Sequence, residues 1–510
     1  MPPRGSQLWL YVAVFLLVSL TLYLRLFSFE GAPLMGGLDQ AGFLHDAQRM
    51  ADGRILYRDF DQFTFPGMSA SYFLLIELLG MRAWIPNLVV LVAACTMVVL
   101  GLVIGRELFT GGYGCVPAVL FGLVILPNNL DGTHHLLSAM FSLAAVTVLL
   151  KTRDRWHLAA SGVLCGFALW FTQSRGSLAI LAILVFLYIE RMFDREAGRV
   201  FLVKVSAFLA AAILTCACLT VPFVIMAGCK TFLKWTIWFP IQYYAGDWRW
   251  NSLAASVYWF YGIAGGQVRS IFFLKQALIL LLIPWVYVAA LAGFARRRWR
   301  LTNEVDRRIL LITIAGTALF LSVAGSPWPV RMVFDGMFAC TVLAWVVLQV
   351  GGRNDSARVM LLVCTVAILW SAVHVSHIAA AERKLELPTG QVVVVGAEAG
   401  KYWGTLQSLA KPGDYALDAP DYQIYFFLQL KSPSPAPYLS ASRFTRPEEV
   451  EQTLEQMQRH QVSFVLWSAD LDGNGAPDDS LGPLRAYIRK NFAFRGWLLG
   501  RELWVPAISR

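Results

Sequence analysis

The stretch Ile85-Pro-Asn-Leu-Val-Val-Leu-Val-Ala-Ala-Cys-Thr-Met-Val-Val-Leu-Gly-Leu-Val-Ile-Gly105 lies between Arg82 and Arg106 and carries no charge. As a helix it is about 30 Å long, the thickness of a bilayer's hydrocarbon core. Similar apolar segments recur near 8–28, 112–127, 132–150, 157–174, 177–192, 202–226, 273–294, 309–324, 333–350 and 358–378. Together they predict a mainly α polytopic membrane helix bundle of about eleven transmembrane helices over residues 1–380. Composition agrees. Of the 510 residues 57% are hydrophobic and only 15% charged, with a mean hydropathy of +0.56. A soluble protein carries roughly 25% charged residues. A soluble enzyme, a disordered scaffold, a collagen-like fibre and a small disulfide framework are excluded.

The net charge of +10 fits cytoplasmic loops of a membrane protein, and no basic stretch interleaved with aromatics suggests nucleic acid. All eight cysteines lie in or beside apolar segments, without metal-ligand spacing, and read as small buried hydrophobes. The first apolar run is too long for a cleaved signal and reads as an anchor. Basic residues set the orientation. Arg153 and Arg155, Arg191 to Arg199, Arg296 to Arg300, and Arg353 with Arg358 fall in alternate loops. With the N-terminus cytoplasmic, all four clusters are cytoplasmic too, and the chain after about 380 is periplasmic. In the second long outer loop, Phe232, Trp235 and Phe239 repeat at helical spacing. They predict a short amphipathic helix in the headgroup layer or an aromatic belt.

Residues 388–510 change character. Gln391-Val-Val-Val-Val-Gly396 and Ser463-Phe-Val-Leu-Trp467 read as strands, 447–460 and 484–492 as helices, and 497–504 as a closing hairpin. This is a small C-terminal α/β extracytoplasmic domain, large enough for its own core.

Ionisable residues at a membrane are costly and mark function. They are densest in Gly37-Leu-Asp39-Gln40-Ala-Gly-Phe-Leu-His45-Asp46-Ala-Gln-Arg49-Met50 and in Tyr57-Arg58-Asp59-Phe60. In a helix over 39–51, Asp39 and Asp46 share a side. A carboxylate there acts as a general base, binds a divalent cation, or, for Asp39, caps the helix. The turn Asn128-Asn129-Leu-Asp131-Gly-Thr-His134-His135 holds more polar groups than a turn needs. Adjacent histidines on a helix are expected to point apart, which disfavours zinc. Arg175 lies on the outer side, where a guanidinium suits a phosphate. Arg331 and Lys234 are its rivals, and snorkelling is the bland alternative for all three. Asp470-Leu-Asp472-Gly-Asn474-Gly475 opens like a calcium loop, but Leu481 replaces the bidentate Glu, so a polar turn is expected.

The run Leu38-Asp39-Gln40, Ala47-Gln-Arg49-Met50, Tyr57-Arg58-Asp59-Phe60 and Phe65-Pro66-Gly67 resembles the first periplasmic loop of GT-C glycosyltransferases. It is most similar to the bacterial relatives of protein O-mannosyltransferases and to the lipid A aminoarabinose transferase. The resemblance implies a polyprenyl-phosphate sugar as donor, an inverting transfer to a periplasmic acceptor, Asp39 as base, and Asp131 as the second acidic residue. Gln40 stands where the family often has Glu, and Phe65-Pro66-Gly67 lacks the lysine of the lipid A branch. Gln40, His45, Tyr57, Arg58, His134, His135, Arg175, Lys234 and Arg331 complete the expected substrate-binding set. No metal site is assigned. A transporter or flippase is the alternative, disfavoured because polarity concentrates in outer loops rather than mid-membrane. A degenerate accessory subunit is a third reading.

Overall fold

The computed structural model describes residues 4–245, 247, 251–252, 271–296, 303–325, 327–351, 353–473 and 479–507. The basic cluster at 297–300, and Asn474, Gly475 and Asp478 of the calcium-like loop, lie outside them.

Helix α1 spans Arg4–Leu26, α2 Leu38–Ala51, α3 Gly67–Leu79 and α4 Ile85–Leu108. The segment Gly111–Asn128 follows, and its one α-helical piece, α5, is Val116–Leu120. Then come α6 (His134–Leu149), α7 (Arg155–Phe171), α8 (Gln173–Asp194), α9 (Gly198–Ala227) and α10 (Cys229–Leu233). The bundle closes with α11 (Ile271–Arg296), α12 (Glu304–Leu321), α13 (Pro329–Met332), α14 (Gly336–Gly351) and α15 (Arg353–Ala380). Every apolar segment expected as a span is helical. Among the described residues, six helical segments are long and apolar enough to cross a membrane, and four more apolar stretches of helix are shorter. One of the shorter four is α3, which the sequence reading left inside the first outer loop.

Local chemistry explains the irregular span. Pro117 and Pro127 deny it two amide donors, so 3-10, α and π turns alternate from Gly111 to Asn128. It still packs closely, because a side chain at Gly105 of α4 would run into the backbone of Gly114. The α7–α9 contact uses the same device. Side chains at Gly162 and Gly166 would strike the carbonyls of Phe208 and Ala212, so only glycine lets these helices approach.

The bundle has two chemically distinct ends. At one, Arg153 pairs with Glu190 (3.2 Å) and Glu304 (2.6 Å), Arg307 with Asp194 (2.6 Å), and Arg308 with Glu107 (3.2 Å). These belong to the loops assigned to the cytoplasm. The other end carries α2 and the turn at 131–135.

The C-terminal region forms strands β1 (Glu382–Leu387), β2 (Gly390–Val395), β3 (Tyr415–Ala419), β4 (Val462–Ser468), β5 (Phe492–Leu498) and β6 (Arg501–Pro506). Its helices are α16 (Ala397–Leu409), α17 (Gln423–Leu428), α18 (Pro447–Arg459) and α19 (Gly482–Asn491). The order β3-β4-β6-β5 makes one mixed sheet, with β3 and β4 parallel. The expected strands and helices are present, and β1, β3, α16 and α17 are additions. The β1–β2 hairpin straddles the expected boundary at 388 and joins the first outer loop. Val393 exchanges backbone hydrogen bonds with Pro33 and Met35, both 2.8 Å. Leu417, Val450, Val465 and Leu484 form a core of their own, while Tyr425 and Phe464 share the bundle's core.

Lys401 and Arg155 are both exposed. With the exposed Cys218 and Cys229 replaced, a membrane-impermeant maleimide applied to spheroplasts should label Lys401→Cys. It should reach Arg155→Cys only after permeabilisation. The reverse pattern inverts the topology.

Candidate functional site

Helix α2 organises the end of the bundle opposite the Arg153, Arg307 and Arg308 ion pairs. Gly37 occupies its N-cap with φ 69° and has no side chain to hold the first amides. The cap comes from a distant turn: Asp131 accepts the Gln40 N–H at 3.1 Å. Gln40 answers, its Oε1 accepting the Gly132 N–H (2.9 Å) and its Nε2 donating to the Gly36 carbonyl (2.7 Å). A side chain at Gly37 would collide with the Asp131 carboxylate. Asp39 therefore is not the cap. It sits in the first turn with an exposed side chain. So much protein surrounds it that burial raises its carboxyl above the ordinary range, opposed by Arg331. Asp131 is held higher still, by burial first and then by the charge of Asp39, against the amides it accepts. Two neighbouring carboxyls of this kind favour sharing a proton.

Asp46 is on the same side of α2 but in a closed network. It accepts from Gln62 Nε2 (2.6 Å) and Ser69 Oγ (3.0 Å). Burial pushes it up to about 6 despite these donors. It ties α2 to the turn before α3. On another face, Gly42 leaves room for the ring of Tyr422, His45 stacks on Tyr425 (4.2 Å), and Arg49 donates to the Ser434 carbonyl (2.6 Å).

The cations divide. Arg175 is wholly buried, with Nη1 on Asp335 (2.5 Å) and Nη2 on the backbone carbonyl of Arg331 (2.6 Å). Arg331 is half-buried, donates to the Tyr244 hydroxyl (3.2 Å), and acts electrostatically on Asp39. Lys234 lies over Trp235 (5.0 Å) and belongs to a different cluster, described below. The rings of His134 and His135 are 4.0 Å apart, contrary to the expectation that they diverge. They start α6, where no preceding turn holds the side chains apart. His134 also meets Phe43 at 5.1 Å.

Tyr57 and Arg58 are occupied elsewhere. The buried Tyr57 hydroxyl donates to Thr64 (2.7 Å), closing its own loop, and Arg58 pairs with Asp59 (2.8 Å) at the surface. The predicted aromatic stripe is real but inverted. Phe232, Trp235 and Phe239 are buried with Tyr57, Phe60 and Phe444. The exposed apolar stripe is instead Leu233, Ile237, Trp238 and Ile241. Among the described residues, no group of three His, Cys, Asp or Glu could hold a metal ion. In the calcium-like turn Asp472 accepts from Trp467 Nε1 at 3.1 Å.

Sequence reasoning missed Asp335, although a lone acid at the start of an apolar segment signals a buried partner. It also missed Tyr244, Tyr422 and Tyr438, and the cluster of Asp61, Arg446 and Glu449. In that cluster Arg446 contacts Asp61 (3.3 Å) and Glu449 (2.9 Å) and lies over Trp235 (4.5 Å). No short motif announces a pairing across this sequence distance.

No protein-family model matches the chain, and no curated protein matches it. Solved structures do. ArnT from Cupriavidus metallidurans bound to undecaprenyl phosphate is 14% identical over 99% of both chains, with a TM-score of 0.56. The same protein in the apo state gives 14% and 0.54, over 99% of this chain and 98% of that one. The Archaeoglobus fulgidus oligosaccharyltransferase in the apo form gives 13% and 0.50, over 99% of this chain and 75% of that one. At this identity the likeness shows the fold: the GT-C architecture, bundle and C-terminal region together.

The Asp61 cluster sets a pH dependence. Burial, then the adjoining Glu449, push Asp61 up to about 9, against Arg446 and Lys234. The folded chain thus keeps a proton that an unfolded Asp loses near pH ~4. Stability from this group is complete at low pH and is lost as pH rises through about 9. The unfolding temperature should fall across that window, and Asp61→Asn should flatten the fall. An unchanged slope in the variant removes Asp61 as its source.

Proposed function

We propose that this chain is a membrane glycosyltransferase that moves a sugar from a polyprenyl-phosphate donor to a periplasmic acceptor with inversion. The observation carrying the reading is Asp39: an accessible carboxylate beside a buried carboxyl (Asp131) and within the electrostatic reach of a guanidinium (Arg331). That combination provides a base next to an anion site. ArnT, which shares the fold, binds undecaprenyl phosphate, and this supports the donor class.

In the proposed step Asp39 takes the proton of an acceptor hydroxyl. The oxygen attacks the anomeric carbon from the face opposite the phosphate. The carbon–oxygen bond to phosphate breaks, and its electron pair leaves on the polyprenyl phosphate. The proton stays on the Asp39–Asp131 pair, whose raised proton affinity suits a receiver. Arg331 meets the phosphate, with His134 and His135 as neutral donors.

Arg175 acts at one remove. Its buried bond to the Arg331 carbonyl fixes the backbone that presents the Arg331 guanidinium, and Asp335 neutralises it. It is a positioning residue in this reading, in place of the direct phosphate ligand expected from sequence. Asp46, Tyr57 and Arg58 are structural, and the reaction faces the periplasm.

Asp39→Asn should lower transfer about 10²–10⁴-fold, the usual contribution of a general base. Folding should survive, since Asp131 caps α2, and so should donor binding. Near-normal turnover sinks the assignment. Arg331→Ala should weaken binding of undecaprenyl phosphate, and Arg331→Lys should restore it in part. Arg175→Lys should weaken binding less than Arg331→Ala while lowering the unfolding temperature more. If Arg175 substitutions abolish binding and Arg331 substitutions do not, the two roles exchange.

A further inference from the structure

The segment after α9 turns a face outward that the site does not use. Gly228, with φ 84°, ends α9 and opens a helical run from Cys229 to Tyr244. The run mixes α with wider π turns. Its exposed positions recur every four residues: 229 and 230, 233 and 234, 237 and 238, 241 and 242. A plain α-helix repeats at 3.6 and would wind such a pattern round its axis. The wider turns lengthen the repeat and keep one face outward.

That face has one character. Leu233, Ile237, Trp238 and Ile241 are exposed on it, Trp238 by 59% and Ile241 by 64%. Lys230 and Lys234 stand at its start, and from Val221 to Gly246 the chain has no other charge. A contiguous apolar strip of this kind marks a contact surface.

Two observations say what covers it. The strip continues the lipid-facing side of α9, whose last turns expose Val221, Ile225 and Met226. Only Gly228 separates the two, so the run starts at the depth where α9 leaves the hydrocarbon. At that depth lie the lipid phosphates. The charges on the face are both cations, whose stems can lie along apolar surface while the ammonium meets an anion. Tryptophan, here Trp238, is a residue that collects in the same layer.

The other side of the run is tied to the site. Gln173, two residues before Arg175, donates to the Thr236 carbonyl (3.3 Å). Tyr244 ends the run, and its hydroxyl accepts from Arg331 Nη2 (3.2 Å). How the run lies on the membrane therefore sets where that hydroxyl stands.

We propose that the run 229–244 lies in the headgroup layer on the side of the site, binds anionic phospholipid there, and so holds Tyr244 against Arg331. The lipid contact stands on the exposed face alone; its effect on donor binding rests on the role given to Arg331 above.

The test uses the full chain in nanodiscs of phosphatidylcholine, with or without phosphatidylglycerol, with Cys218 and Cys229 replaced. A spin label on Ile237→Cys should collide more with oxygen than with a water-soluble nickel chelate, and one on Lys401→Cys should do the reverse. Undecaprenyl phosphate should bind several-fold tighter when phosphatidylglycerol is present. A lysine beside an anionic surface is worth about fivefold, so Lys230→Gln should remove most of that gain. Lys234 also acts on Asp61 and is the poorer probe. Tyr244→Phe should abolish the gain and leave the depth of the label unchanged, which misfolding would not. A label at 237 that reads like the one at 401 overturns the proposal. Equal or weaker binding with phosphatidylglycerol, or a gain that survives Lys230→Gln, does the same. So does shielding of the label by undecaprenyl phosphate alone, which would give the strip to the donor's tail. A chain that binds no undecaprenyl phosphate in either lipid, with the 237 label at headgroup depth, removes the donor reading and leaves the lipid contact standing.

Discussion

The N-terminus of α2 has amide hydrogens to satisfy and a glycine where a capping side chain would stand. Asp131 supplies the missing acceptor from 91 residues away, and Gln40 returns a bond to the same turn. This exchange sets the site. It fixes α2 against the turn before α6 and brings a second carboxyl beside Asp39. It also leaves Asp39 unengaged as a cap. A helix that capped itself with Asp39 would have engaged that carboxylate in its own first turn. Gln40 fits this account. An acid there could not donate to the Gly36 carbonyl, so the amide is a working part of the cap where the family often has a carboxylate.

The buried ion pair of Arg175 and Asp335 works the same way on the opposite wall. A fully buried guanidinium is tolerable only with a close counter-charge. The pair is therefore tight, and the spare Nη2 is directed at the Arg331 carbonyl. The more accessible cation is thus held by one that is sealed. Two charges of the same type differ in burial, Arg175 being sealed and Arg331 half-buried.

The C-terminal region is built into this arrangement. It pairs a strand with the loop before α2, stacks Tyr425 on His45, and closes the Asp61 cluster through Arg446. Its Tyr422 ring packs against Gly42 of α2. The wide turns from Lys234 to Tyr244 carry one stripe packed on protein and another that is apolar and exposed. Such a helix joins the lipid surface to the site it borders.

By itself the sequence determined the membrane class, the position of every apolar helix it read as a span though not of α3, and most strands and helices after 388. These follow from composition and from periods of two and 3.6 residues, which are local properties. Proline and glycine at 111–127 also foretold the irregular span, had they been weighed. The motif around Asp39 was legible as a family resemblance, and the fold agrees with it. What each charge does was decided only by tertiary structure. Asp39 and Asp46 share a side of one helix, yet one is open and the other pinned by Gln62 and Ser69. Arg175 read as the phosphate ligand with Arg331 as its rival, and burial seals the first while leaving the second partly open. Tyr57 reads as a ligand in the motif and is the hinge of a turn in space. The physical reason is common to all three. A polar side chain's role is set by which donors, acceptors and charges surround it, and folding brings those from dozens to hundreds of residues away.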